Sequence, residues 1–314
     1  AIPSNKDGSH DPWDHLEAVM GLATLGFNHE AMLGLQWMKD NQNEDGSWYN
    51  LYQGNEAIEK NKQSNFSTYI AVAVWQNYLL TNDLSILENF WSSIEKGMVF
   101  ALSLQHSNGA IAWNVDTSGV VDEDYLLTGC SSIAKSFECS IAICEILNKS
   151  EFKSTLLNAH SKLLYSIENP KGIFDLKKDR SRFSMDWYYP ILSGANPTDN
   201  FARLLNKITN IFWIPGVGIK CVADEPWVTV AETCECSIAF KKIGHEKNAQ
   251  ELLLNASAIV DESSVPYMGW QLEEKIYWPE EQPSWTSGAL ILAADANNAL
   301  TKASNLFLTK QFSS

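Results

Sequence analysis

Two carboxylates and an imidazole stand where their surroundings would change their chemistry. Asp186 sits in Ser184-Met185-Asp186-Trp187-Tyr188-Tyr189, a lone acid among groups that would desolvate it. Burial disfavours the ionised carboxyl and raises its pKa, which suits a general acid near neutral pH. The plainer role for Asp186 is a helix N-cap whose oxygen accepts first-turn N–H groups. Glu232 follows Trp227 and Thr229 by about one helical turn, with Val228, Val230 and Ala231 beside it. An unpaired buried charge is costly, so this acid needs a partner, such as Lys135 or Arg182, or a catalytic task. His15 titrates near neutrality and would act as base or proton shuttle, unless a hydrogen-bonded core position holds it.

Aromatic and acidic side chains cluster near all three. Asp11, Trp13 and Asp14 adjoin His15; Trp187, Tyr188 and Tyr189 follow Asp186; Trp227 and Thr229 precede Glu232; Trp285 opens a later helix. Trp48, Trp113, Asp224, Tyr277 and Glu280 lie in loops that would join them as substrate-binding residues. Carboxylates and flat rings together suit two ligands. Sugar rings stack on Trp and Tyr while carboxylates hold hydroxyls and perform acid–base work. Carbocations are stabilised by aromatic faces while one protonated acid starts the reaction.

The elements that position these residues are read from repetition. Gln42-Asn43-Glu44-Asp45-Gly46-Ser47-Trp48 recurs 63 residues on as Gln105-His106-Ser107-Asn108-Gly109-Ala110-Ile111, and again after 63 as Glu168-Asn169-Pro170-Lys171-Gly172-Ile173-Phe174. The pattern Q-x3-G-x-W predicts a helix end, a tight turn through Gly and a ring folding back over it. Between the turns, segments 11–25, 64–80, 128–147, 183–193, 227–243 and 283–297 are apolar nearly all round, as buried helices are. Segments 28–41, 83–105, 151–168, 198–212, 245–260 and 299–312 are amphipathic. The alternation predicts an all-α, single (α/α)6 toroid over residues 1–314 with almost no sheet. Ala1-Ile2-Pro3 matches Ala110-Ile111-Ala112, so the chain is expected to start in mid-repeat and to lack an N-terminal helix. Inner-helix starts would then converge on one mouth, with Asp186 and Glu232 about 5–10 Å apart.

Composition narrows the partners. The chain has 38 acidic and 23 basic residues, a net charge of −15, and no Lys/Arg cluster to meet a polyanion, so nucleic acid is excluded as a partner. Its longest apolar stretches fall far short of the roughly 20 residues that span a bilayer. No basic segment followed by an apolar one opens the chain, so no leader is expected. Six cysteines scattered through apolar stretches, without a compact disulfide framework, predict a reducing, cytoplasmic setting.

The Q-x3-G-x-W turn and the alternating helices resemble the terpenoid cyclase and protein prenyltransferase superfamily. More narrowly, Asp11-Pro12-Trp13-Asp14-His15, Met185-Asp186-Trp187-Tyr188-Tyr189-Pro190 and Pro226-Trp227-Val228-Thr229-Val230-Ala231-Glu232-Thr233-Cys234-Glu235 resemble bacterial proteins labelled prenyltransferase by similarity. The resemblance implies a toroid enzyme acting on an isoprenoid, with Asp186 as acid and the aromatic wall shielding a cation. Glu232-Thr233-Cys234 with His15 is similar to the zinc ligands of prenyltransferases, the one route to a divalent metal; otherwise no cofactor is expected. The chain departs from the cyclases in lacking D-x-D-D and D-D-x-x-D blocks. A six-hairpin glycoside hydrolase or polysaccharide lyase, with Asp186 and Glu232 as paired carboxylates on a carbohydrate, needs neither block and is the alternative. A toroid that only binds a ligand is the third reading.

Overall fold

Asp11 starts the first helix. Its Oδ1 accepts the Asp14 backbone N–H at 2.8 Å, and Pro12 follows at the position where a missing N–H costs nothing. The computed structural model describes residues 1–195 and 201–313. Its helices are α1 (Pro12–Thr24), α2 (Asn28–Asp40), α3 (Ser64–Thr68), α4 (Ile70–Thr81), α5 (Leu84–Ser103) and α6 (Leu127–Ile146). They continue with α7 (Ser150–Glu168), α8 (Met185–Leu192), α9 (Phe201–Lys207), α10 (Val230–Lys242), α11 (Glu246–Ser257) and α12 (Ser284–Asn298).

The apolar helices form a closed ring. α1 packs on α4, α4 on α6, α6 on α8, α8 on α10, α10 on α12, and α12 returns to α1. The amphipathic helices back them from outside: α2 on α1, α5 on α4, α7 on α6, α9 on α8 and α11 on α10. This is the α/α toroid. Its closure needs small residues, because an added Cβ on Gly288 would lie 2.5 Å from the Glu17 carbonyl oxygen.

The repeated turn has a physical basis. Gln42 Nε2 donates to the carbonyls of Gly46 and Ser93, both at 2.9 Å, tying the turn to the next outer helix. Gln105 Nε2 does the same with Gly109 and Ala159, again at 2.9 Å. Gly46 and Gly109 have φ of +88° and +97°, which side chains rarely tolerate.

Two expectations are corrected. The chain carries two five-stranded antiparallel sheets rather than almost none. One runs in order β1 (Ser9–His10), β2 (Tyr49–Gln53), β3 (Glu56–Gln63), β4 (Asn114–Val115) and β5 (Val121–Asp122). The other comprises β6 (Trp213–Ile214), β7 (Gly218–Lys220), β8 (Trp227–Thr229), β9 (Gly269–Gln271) and β10 (Ile276–Tyr277). Every strand precedes an inner helix, so both sheets wall the same end of the ring. The opposite end is joined by short turns, such as 25–27 and 243–245. Residues 299–312 are not the expected sixth outer helix: Ala299 takes a left-handed φ of 52° and ends α12, and consecutive turns follow. Part of the expected outer segment 198–212 lies outside the described residues.

Candidate active site

The inner helices begin where the strands lie, so their first turns surround one mouth. A cavity of about 180 Å³ opens there between Asp11 and Trp13 of the α1 start, Asn65 and Phe66 of α3, Thr128 and Ser132 of α6, and Met185 and Tyr189 of α8. Trp13 lies flat on Tyr69, with ring centroids 3.8 Å apart. Below, a narrow recess of about 40 Å³ shares Trp13, Ser132 and Tyr189 and reaches Glu17, Lys135, Glu235 and Phe307.

Acids of α1 and α10 stand around this space: Asp11 lines the cavity, and Glu17 and Glu235 line the recess. Asp11, Asp14 and Glu17 recur every three residues and so share one face of α1. Burial pushes Asp11 up to about 6. Burial, then the charge of Asp11, holds Asp14 well above the usual carboxylate range. Burial lifts Glu17 to about 7, although the Tyr69 hydroxyl donates to it at 2.8 Å. On α10 the acids are Glu232 and Glu235. Glu235 accepts the hydroxyls of Tyr188 at 2.6 Å and Tyr189 at 2.7 Å, and burial raises it to about 8. Glu17 and Glu235 line the same recess. Asp14 and Glu232 therefore stand one turn nearer the mouth on their respective helices.

Buried polar atoms without a hydrogen-bond partner occur at several inner-helix starts, among them Asn65 Oδ1, Ser132 Oγ, Ser184 Oγ, Thr229 Oγ1, Glu232 Oε2 and Thr286 Oγ1; Asn65 and Ser132 line the cavity itself. Leaving such a group unmatched costs about 1–3 kcal/mol, so the Asn65 and Ser132 oxygens in the cavity wall suit a polar ligand.

The expected site residues divide. Asp11, Trp13, Asp14, Tyr189, Thr229 and Glu232 belong to this end of the ring, and Trp285 lies in the first turn of α12. Asp186 instead lines a separate cleft with Asp175, Arg180 and Trp187. Glu232 is not among the residues that line this cleft. Glu232 has no ion pair with Lys135 or Arg182; Lys135 pairs with Glu138 at 2.6 Å and Arg182 with Asp224 at 2.8 Å. The thiol beside Glu232 is that of Cys221, which burial and the nearby Glu232 charge keep protonated. His15 is a core residue. Its Nδ1 accepts the Ile2 N–H at 2.9 Å, its Nε2 meets the Gly34 carbonyl at 3.0 Å, and burial lowers its pKa to about 3. That leaves no lone pair for zinc, and Cys234 is fully buried. Among the described residues no group of three or more His, Cys, Asp or Glu is placed to hold a metal.

The remaining aromatics mostly do structural work. Trp48 is fully buried and donates to the Met38 carbonyl at 2.8 Å. Tyr188 is equally buried. Trp113 donates to Gln63 at 3.1 Å and carries Arg180 over its ring. Trp227 meets the edge of Trp278, and Tyr277 stacks on Tyr267 at 3.9 Å. Asp224 and Glu280 are exposed. Sequence reasoning missed Glu17, Glu235, Ser132 and Thr286. The available signal was the three-residue recurrence of acids within otherwise apolar helices.

No family model matches the chain. A protein of Mycolicibacterium hassiacum named MMP endo-(1,4)-3-O-methyl-alpha-D-mannosidase is 35% identical over 308 residues, covering 98% of this chain and 84% of that one. The chain belongs to this mannosidase's family. Similar solved structures include a glycosidase variant in complex with glucose, at TM-score 0.71 and 12% identity, covering 96% of this chain and 92% of that one. A GH63 mannosylglycerate hydrolase from Thermus thermophilus superposes at TM-score 0.68 and 13% identity, covering 93% and 95%, and a D-mannose isomerase at 0.65 and 12%, covering 92% and 88%. At such identity these likenesses show the fold.

Membership in a mannosidase family overturns the terpenoid cyclase and prenyltransferase reading, and the isoprenoid substrate with it. The physical reason lies in the shared motif. Gln42 and Gln105 fasten helix ends, which any toroid can use whatever its chemistry. The glycoside hydrolase alternative is the one the relationship supports. All six cysteines are free thiols, and among the described residues no helix is long and apolar enough to cross a membrane.

Proposed function

We propose that this protein hydrolyses (1,4)-linked α-mannosides, with 3-O-methylated mannose as the preferred unit, at the mouth of the toroid. The observation that carries this is the mouth's cavity, where Asp11 and the unpartnered Asn65 and Ser132 oxygens stand beside the exposed part of Trp13. A sugar offers hydroxyls to the former and a flat C–H face to the latter.

Burial and then the charge of Asp11 favour the protonated Asp14 carboxyl, so this pair is the proton donor in the reading. That proton passes to the glycosidic oxygen as the bond to the anomeric carbon breaks. Glu232, with Oε2 unpartnered, accepts a proton from the water that attacks the same carbon. His15 is a positioning residue, fixing the start of α1 through Ile2 and Gly34. The free thiols support a reducing, cytoplasmic place of work.

The test is release of reducing ends from a (1,4)-linked 3-O-methyl-α-mannose oligosaccharide. The folded wild-type protein is expected to cleave it, and Glu232→Gln and Asp14→Asn to lose at least about 10²-fold in kcat. A folded wild-type protein inactive on every α-mannoside would remove the proposal.

A further inference from the structure

Asp186 opens onto a cleft of about 710 Å³ that the hydrolytic site does not use. The cleft lies between the end of α7, the loop after it and the outward side of α8. Phe174, Asp175, Arg180, Asp186 and Trp187 line it, with Lys171 at one side. It adjoins the mouth closely. Leu127 and Asp186 line the cleft, while their chain neighbours Thr128 and Met185 line the mouth. Neighbouring Cα atoms are about 3.8 Å apart, so one backbone thickness separates the two spaces.

We propose that this cleft is a second carbohydrate subsite, holding sugar units of the same chain away from the linkage being cut. The inference rests on the mannosidase reading. Its own support is the pairing of rings with hydrogen-bonding groups of both kinds. The half-buried Trp187 offers ring surface for stacking, with the buried Phe174 set back in the wall. The Trp187 indole is fixed by its bond to the Ser181 carbonyl at 2.8 Å, and Lys207 lies over the ring at 5.2 Å. Asp186 is 8% exposed. Burial, then the charge of Asp175, pushes it up to about 8, so it keeps a proton to donate near neutrality. Asp175 lies 3.7 Å from Arg180, giving an acceptor and a fixed donor at the same wall. Arg180 also reaches over the Trp113 ring, which helps to hold the loop in place. The cleft is also the roomier space, about 710 Å³ against about 180 Å³ for the mouth's cavity.

The experiment compares a short and a long (1,4)-linked 3-O-methyl-α-mannose oligosaccharide. The wild-type protein is expected to show higher kcat/KM on the long one, and Trp187→Ala to lower the long-to-short ratio about tenfold. Phe174→Leu, a milder change, should lower it less. In parallel, binding of the long oligosaccharide to Glu232→Gln should weaken about tenfold on adding Trp187→Ala, a readout that needs no turnover. An unchanged ratio together with unchanged binding would overturn the subsite while leaving the mouth's chemistry intact. Loss of cleavage on both substrates in Asp186→Asn, with folding preserved, would instead make the cleft the catalytic centre and overturn both readings.

Discussion

Gly21 on α1 and Gly288 on α12 meet backbone to backbone where the ring closes. A Cβ on Gly21 would sit 2.9 Å from the Gly288 Cα, and one on Gly288 would sit 2.5 Å from the Glu17 carbonyl oxygen. This joint brings the first and last helices together, and Glu17, whose carboxyl lines the recess under the mouth, is part of it. Closure of the fold and placement of the acids on α1 are one structural event.

Gly288→Ala is accordingly expected to lower unfolding free energy by about 1–3 kcal/mol, because backbone cannot move aside as a flexible side chain can. Gly129→Ala is the contrast. Its Cβ would meet only Leu126 at 3.7 Å. Helix propensity favours Ala, by less than the roughly 0.8–1 kcal/mol of a helix interior because Gly129 lies in the first turn of α6. Urea denaturation of both variants checks the pair, and equal destabilisation would count against the joint.

The turn glutamines make a second prediction. Gln105→Ala removes two bonds to carbonyls, each worth about 1 kcal/mol net, and should cost roughly 1–3 kcal/mol. The loss should appear in thermal melts with helix content retained. A melt identical to the wild type would show that the repeat's glutamine is idle.

Stability should depend on pH through Glu235. Its folded pKa of about 8 lies above the ordinary value of 4.5, so the native state binds more protons than the unfolded chain between them. That contribution is complete below the ordinary value and is lost as pH rises through about 8. Glu235→Gln keeps a hydrogen-bonding side chain and should flatten the fall in melting temperature between those limits. An unaltered slope would assign the pH dependence elsewhere, Asp186 being the next group to test.

The proposed acid and base stand on helices that are not neighbours in the ring, with α12 between α1 and α10. Packed helices are separated by about 8–10 Å, so this arrangement leaves room for a water between the carboxyls. Hydrolysis should invert the anomeric centre. Proton NMR of the first-formed product settles this, and a retained α-anomer would point to a covalent intermediate.

The ring was legible in the sequence because its signal is long-range and periodic. Gln42 and Gln105 mark the turns, and helices such as Ile70–Thr81 are apolar on every side. The sheets were not, since strands as short as Ser9–His10 and Asn114–Val115 are too brief for alternation to show. At the site, Asp11, Trp13, Asp14 and Glu232 could be nominated from helix starts, where chain order predicts convergence. The direction a side chain takes from its helix could not. Asp186 and Tyr188 are two residues apart, yet one lines an outer cleft and the other is wholly buried against Glu235. The resemblance is silent on chemistry for a related reason: the motif that carries it belongs to the scaffold.

The most direct test of the central claim is a structure of Glu232→Gln with a (1,4)-linked 3-O-methyl-α-mannose oligosaccharide bound. The account predicts a sugar ring seated at the mouth against Trp13, hydroxyls on Thr229 and Thr286, and a glycosidic oxygen within hydrogen-bond reach of Asp14. A scissile linkage found between Asp175 and Asp186, with the mouth unoccupied, would contradict it.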